Sequence, residues 1–210
     1  MRIFVADDHA VVRRGVIQLV REAFPDVEIG EASSVHDLFR TLRTDRIWDV
    51  LVLDISMPGA IGLETLKDFR REFPTIPVLV LSAHPEERYG VRALKAGAAG
   101  YLTKESAPED LPKAVRKILV GGRYITSTLA ETLADTLGTL ADSPLHERLS
   151  DREYEVLRGI GGGKSVSQLA REMCLSEKTV STYRTRLLQK MQMETTADLM
   201  HYAIRNDLLD

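Results

Sequence analysis

Residues 50–59 read Val-Leu-Val-Leu-Asp-Ile-Ser-Met-Pro-Gly. An unbroken apolar run such as Val50–Leu53 is built to be buried on both faces, as in a parallel sheet covered by helices. A bare carboxylate at its tip, Asp54, then belongs at a solvent-facing mouth or in a site that uses its charge. A second run of the same kind, Pro77–Ser82 (PVLVLS), ends in a hydroxyl. Arg2–Asp7 (RIFVAD) ends in a carboxylate with another, Asp8, behind it.

Outward from these strands the periodicity alternates. Short β-rich runs are predicted at 2–7, 27–32, 49–53, 77–82 and 100–103. Helical stripes fall between and after them, at 11–24, 34–43, 63–73, 86–96 and 108–120. Gly97 and the pair Gly121–Gly122 close two of these helices. Five β/α pairs in succession mean a parallel sheet with helices on both faces. In such open sheets the working crevice lies at the carboxyl ends of the strands. Asp7, Asp8, Asp54, Ser82 and Lys104 all stand at or just beyond strand ends, so topology alone sends them to one place.

From Tyr124 the pattern changes. Leu129, Leu133, Leu137 and Leu140 form one amphipathic stripe, weakened at Gly138 and ended by Asp142-Ser143-Pro144. Beyond Ser150 the chain reads as four helices at roughly 151–160, 166–173, 177–191 and 195–206, the first opened by the capping-box pattern Ser150-Asp-Arg-Glu153. The expected organisation is residues 1–122 as an α/β domain, 123–148 as a linker with one helix, and 149–210 as an all-α domain.

Bulk composition narrows the class. The 210 residues are 44% hydrophobic and 28% charged, ordinary for a globular protein, and no run has the ~18 apolar residues of a membrane helix. The chain enters a strand at once, without a signal-peptide pattern. One cysteine, Cys174, allows no internal disulfide and suggests a reducing cytoplasm; it reads as a small core residue. Residues 148–210 hold ten basic and nine acidic side chains, net +1, leaving 18 basic and 22 acidic elsewhere, net −4. Any affinity for nucleic acid must therefore come from a local patch.

The carboxylates set the chemistry. Singly, Asp7, Asp8 or Asp54 reads equally well as a helix cap. Together they repel, and something cationic must hold them. A hard divalent ion with oxygen ligands, Mg²⁺ above all, suits such a set: Asp8 and Asp54 directly, Asp7 through a water, and the Ser56 carbonyl within reach. Lys104 adds a positive charge and Ser82 a hydroxyl donor. That combination around one protruding carboxylate suits a phosphoryl group on Asp54.

The motifs DDH at 7–9, DISMPG at 54–59, LSA at 81–83 and GYLTK at 100–104 resemble the receiver domain of two-component response regulators over residues 1 to about 122. The resemblance implies a flavodoxin-like five-stranded fold, the same Mg²⁺ ligands, and phosphoryl transfer to Asp54 from a histidine kinase or a small acyl phosphate. It also implies Ser82 and Tyr101 as a switch pair, in which the hydroxyl moves toward the phosphoryl oxygen and the ring turns inward. Two departures stand out: Glu105 follows Lys104 where many receivers have proline, and Pro112 lies inside the last receiver helix, a segment that often forms part of the dimer face.

Ser165–Met191 carries the second signal. Two short helices meet across a tight connection at Cys174–Leu175, a helix-turn-helix. On the second helix Val180, Leu187 and Met191 share one face, flanked by Tyr183 and Leu188. Lys178, Thr182, Thr185, Arg186 and Gln189 lie opposite, with Ser181 at the edge. Residues 177–190 hold four cations, among them Lys190, and one anion. That is a plausible phosphate-binding footprint, and small polar residues at the helix front suit an approach to base edges. Arg184 falls on the inner side, where an ion pair with a glutamate such as Glu155 is expected rather than a base contact. The segment from about Leu149 to Leu208 resembles the LuxR-type DNA-binding domain, with Gly161–Gly163 richer in glycine than usual. A receiver joined to it is similar to the NarL/FixJ class of response regulators. This implies a cytoplasmic, phosphorylation-controlled transcription factor, not an enzyme. Its implied partners are promoter DNA, a histidine kinase, a second copy when active, and RNA polymerase. A signalling adaptor, its helical domain serving protein contacts, is the alternative from another class; the basic helix face favours the regulator.

Overall fold

The computed structural model describes residues 1–60, 62–138, 144–173 and 175–209. The chain divides into two compact units, Met1–Gly138 and Thr139–Asp210.

In the first unit, strands β1 (Arg2–Ala6), β2 (Glu28–Ala32), β3 (Val50–Leu53), β4 (Val78–Ser82) and β5 (Gly100–Thr103) form one parallel sheet in the order β2-β1-β3-β4-β5. Every residue of β3 and β4 is buried, whereas in edge strand β2 only Ala32 is. Helices α1 (Ala10–Ala23), α2 (Val35–Thr44), α3 (Leu63–Glu72), α4 (Glu86–Lys95) and α5 (Ala107–Leu119) make the crossovers and the final cover. Right-handed connections in this strand order put α1 and α5 on one face and α2, α3 and α4 on the other. Accordingly, Ile3, Val5, Val50, Val52, Leu79 and Leu81 share a core with Val16 and Val20 of α1 and Leu111, Val115 and Ile118 of α5.

The expected strands and helices are all present, their ends moved by a residue or two. The differences have local causes. Helix α5 begins early, at Ala107, and runs through Pro112, so the Pro108 carbonyl has no amide to accept from at that position. The helix stays on the sheet because Leu111, Ala114 and Val115 beside the proline are fully buried. Gly97 (φ +100°) and Gly121 (φ +80°) supply the left-handed turns that close α4 and α5. No cis peptide occurs among the described residues, Lys104–Glu105 included.

The linker's helix is α6 (Ser127–Gly138). It packs on α4: Leu129 is fully buried, and a Cβ at Gly90 would lie 2.7 Å from its Cδ1. The Thr126 hydroxyl donates to Glu86 Oε1 at 2.7 Å. Residues 139–143, with the expected Leu140 stripe position and the Asp142-Ser143 stop, lie outside the described residues, as does Cys174.

The second unit is helical. A single 3-10 turn (Leu145–Arg148) precedes α7 (Asp151–Gly161), α8 (Val166–Glu172), α9 (Glu177–Met191) and α10 (Thr196–Arg205). Capping boxes open α7 (Ser150/Glu153), α8 (Ser165/Gln168) and α10 (Thr195/Asp198), and Ser176 caps α9. Each satisfies amide groups that a helix start leaves open. Tyr154, Val156, Leu157, Ile160, Leu169, Val180, Leu187, Met191, Leu199 and Ala203 form the core. Two of the three consecutive glycines have a structural reason. A Cβ on Gly161 would sit 2.5 Å from that of Ala203, and Gly163 takes φ +78°.

Candidate functional site

The backbone register builds the mouth. Ala6 and Leu53 are the last paired residues of β1 and β3, and the Asp54 amide still donates to the Ala6 carbonyl at 2.8 Å. Asp7 and Asp54 therefore leave the sheet side by side, where the strand order reverses. From the far side, the Lys104 amide donates to the Ser82 carbonyl at 2.7 Å. This places the root of the lysine just past β5.

The side chains close on one another. The Lys104 ammonium donates to Asp54 Oδ2 at 2.7 Å and lies 2.9 Å from Asp7 Oδ2. Asp54 Oδ1 accepts the Ser56 amide at 2.8 Å, and Asp7 Oδ1 accepts the His9 amide at 2.7 Å. Asp7 and Asp54 are buried, at 1% and 2% exposure, a cost borne only because charges and donors surround them. Burial works against the charge of Lys104, but its two carboxylates outweigh that and hold it above the ordinary lysine range.

The set fits a divalent cation. Ligand atoms of Asp7, Asp8, His9 and Asp54 lie within 4.8 Å of one another. Asp8 Oδ1 is buried and accepts no hydrogen bond among the described residues, whereas Asp7 Oδ2 is held by the Lys104 ammonium at 2.9 Å. A hard carboxylate oxygen left open like that of Asp8 is the donor such an ion takes. The sequence reading quoted His9 within its motif but gave it no role, although its place beside Asp8 at a strand end was a usable signal.

Ser82 is fully buried, and its Oγ accepts the His84 amide at 3.1 Å. The ring of Tyr101 is inward, with no exposure, and its hydroxyl donates to the His84 carbonyl at 2.9 Å. Burial pushes that hydroxyl above the usual tyrosine range, against a hydrogen bond with Ser82 that lowers it. Ser82 and Tyr101 thus hold the two backbone groups of one residue, His84, two positions before α4.

In the second unit, Val180, Leu187 and Met191 are buried, whereas Lys178, Thr182, Thr185, Arg186 and Gln189 are exposed, with Ser181 intermediate. The Thr182 and Thr185 hydroxyls donate to the carbonyls of Lys178 and Ser181, which leaves their oxygens as acceptors on the outer face. One expectation needs correction. Arg184 does not pair with Glu155, whose carboxylate is taken by Arg152 at 2.7 Å within the same helix; Arg184 Nε is buried without a hydrogen bond. Lys190, counted among the cations of this helix, also holds the buried Glu153 at 2.7 Å while its own side chain stays 47% exposed. The reason is electrostatic: a carboxylate 3% exposed requires a counter-charge, and Lys190 lies on the flank of α9 that can reach it.

Both units match known families. Residues 3–116 match the response regulator receiver domain, and residues 147–203 the bacterial regulatory proteins of the luxR family. The response regulator UvrY of Escherichia coli K12 is 33% identical over 210 residues, covering 99% of this chain and 95% of that one. The response regulator GacA of Pseudomonas aeruginosa is 32% identical over 212 residues, covering 100% and 98%.

The chain belongs to the response regulators.

As a response regulator with a luxR-family domain, it is a DNA-binding transcriptional regulator of a two-component system, not an enzyme. Among solved structures it is similar to RcsB from Salmonella enterica serovar Typhimurium, bound to the rprA promoter with the phosphomimetic BeF₃⁻. The TM-score is 0.63 at 29% identity, over 96% of this chain and 98% of that one. No helix among the described residues is long and apolar enough to cross a membrane.

Proposed function

We propose that Asp54 is the phosphoacceptor of this response regulator and that its charge state governs how α9 meets promoter DNA. The observation that carries the reading is the convergence of Asp54, Asp7 and Lys104 within 2.9 Å at the carboxyl ends of β1, β3 and β5. A carboxylate oxygen of Asp54 attacks the phosphorus of a phosphohistidine on the cognate kinase, or of a small acyl phosphate. The P–N or P–O bond breaks, the donor leaves with its electron pair, and a mixed anhydride forms on Asp54. Lys104 passes from the carboxylate to a phosphoryl oxygen, and the Ser56 amide stays as a donor at the same oxygen cluster. Mg²⁺ is the cation we assign, held by Asp8, Asp54 and the Ser56 carbonyl, with Asp7 through a water; it supplies charge neutralisation for the incoming phosphoryl group.

Ser82 has its own proton to donate to that group. Turning to do so loosens its hold on the His84 amide, and Tyr101 pins the other side of the same residue. The β4–α4 loop and the start of α4 then adjust, and through Glu86–Thr126 and Gly90–Leu129 the linker helix follows. The outer face of α9 (Lys178, Ser181, Thr182, Thr185, Arg186 and Gln189) contacts DNA, the cations on phosphates and the small polar side chains toward base edges. Phosphorylation favours a homodimer on paired half-sites, in the cytoplasm, where RNA polymerase is a further partner. We read the domains as 1–122, 123–148 and 149–210, with α6 anchored to the first.

The test is chemical. The full chain, incubated with acetyl phosphate and Mg²⁺, gains one phosphoryl group, and borohydride reduction with mass spectrometry locates it at Asp54. Asp54→Asn gains none. Equal labelling of the variant contradicts the assignment.

A further inference from the structure

We propose that His9 is an imidazole ligand at the rim of the cation site, and that it biases the site toward first-row transition ions, Mn²⁺ foremost, relative to Mg²⁺. The inference rests on reading the acidic mouth as a cation site. His9 Nδ1 lies 3.0 Å from Asp8 Oδ1 and 3.6 Å from Asp7 Oδ1, and the same four side chains keep their ligand atoms within 4.8 Å. Two adjacent ligands on an octahedral ion with bonds of about 2.1 Å stand about 3.0 Å apart. The His9–Asp8 spacing is therefore that of neighbouring ligands.

A hydrogen bond would give a similar distance, but Asp8 Oδ1, although buried, has no hydrogen-bond partner among the described residues. The imidazole nitrogen and the carboxylate oxygen are close without the alignment of donor and acceptor. Both atoms are therefore open to a shared cation. The Asp7 carboxylate, whose Oδ1 is the atom 3.6 Å from the imidazole, belongs to the same set of ligand side chains.

The backbone fixes the root of the imidazole. The His9 amide donates to Asp7 Oδ1 at 2.7 Å, and its carbonyl accepts from the Arg13 amide at 2.9 Å as α1 begins. The side chain itself is 64% exposed, so the ring can turn onto an ion without disturbing the core. A nitrogen donor adds little for Mg²⁺, which prefers oxygen and keeps its waters. It adds more for Mn²⁺ and the later ions, for which imidazole is a good ligand.

The experiment uses the full chain with Mn²⁺ alone, and separately with Mg²⁺, followed by calorimetry and by pulsed electron paramagnetic resonance of the bound Mn²⁺. We expect nitrogen modulation that changes when the histidines carry ¹⁵N and disappears in His9→Ala. We also expect His9→Ala to lose at least roughly tenfold in Mn²⁺ affinity, since even outer-shell partners of metal ligands cost that much, with Mg²⁺ affinity changed less than about twofold. Bound Mn²⁺ without a histidine signal overturns the role of His9, as does an equal loss for both ions in His9→Ala. Failure of Mn²⁺ and Mg²⁺ alike to bind, with Asp8→Asn indistinguishable from wild type, overturns instead the reading of the mouth as a cation site.

Discussion

Lys104 holds two carboxylates that would otherwise repel, and the recognition helix repeats the same lesson at its surface: what a cation does depends on what lies within 3 Å of it. Lys178 and Arg186 are exposed and no acidic side chain is paired with either among the described residues, so their charge remains for phosphates. Replacing either with alanine is expected to weaken binding on every DNA sequence and lower the salt dependence by about one ion each. Affinity measured across a salt series reads this directly, and an unchanged slope in both variants would remove α9 from the interface. The sequence showed residue types and helix angles, which is why the outer face of α9 was legible. It could not show pairing. The absence of an Arg184–Glu155 pair and the pairing of Lys190 with Glu153 depend on other helices that periodicity does not position. His9 carried a signal in its place beside Asp8, but the distance between its ring and the Asp8 carboxylate exists only in three dimensions.

At the scale of elements, capping and packing explain why the second unit holds its shape. Glu153 closes the capping box of α7 by accepting the Ser150 amide at 2.8 Å, and it accepts the Lys190 ammonium at 2.7 Å. Burial alone would raise the pKa of Glu153, but Lys190 and Ser150 outweigh it and hold the carboxyl below the ordinary glutamate range. A carboxyl depressed in this way stabilises the fold above its unfolded pKa. That contribution is lost as pH falls through the lower, folded value. Lys190→Ala is expected to cost roughly 1–2 kcal/mol at neutral pH, less than a fully buried pair because Lys190 is half exposed. Hydrogen exchange in α7 and α9 should show the gap to wild type narrowing as pH falls through and below the ordinary glutamate range; a gap independent of pH would contradict the assignment. The helices and strands themselves were legible because alternating runs and stripes are strong signals. The continuation of α5 through Pro112 was less legible, since that proline argues locally against it, and the burial of Leu111 and Val115 holds the helix to the sheet. The docking of α6 on α4 was also hidden, because it depends on Gly90 leaving room for Leu129.

For the whole molecule, two units are joined so that a charge event in one changes what the other binds. The topology that brings Asp7, Asp54 and Lys104 together follows from five β/α repeats and the strand-order rule, which is why the site could be drawn from the sequence. What the sequence leaves open is coupling. The contacts from His84 through Glu86 and Gly90 to Thr126 and Leu129 belong to the first unit and give the linker helix a physical tie to the loop that Ser82 and Tyr101 hold. A phosphoryl group can bias DNA binding only by as much as its affinity differs between two arrangements of that tie. The central claim is tested most directly by the affinity of the full chain for promoter DNA, with and without acetyl phosphate, in wild type and in Asp54→Asn. The account predicts at least a roughly fivefold gain for wild type, the lower end of ordinary coupling energies, and none for the variant. Equal affinity in all four conditions, or the same gain in both proteins, would contradict it.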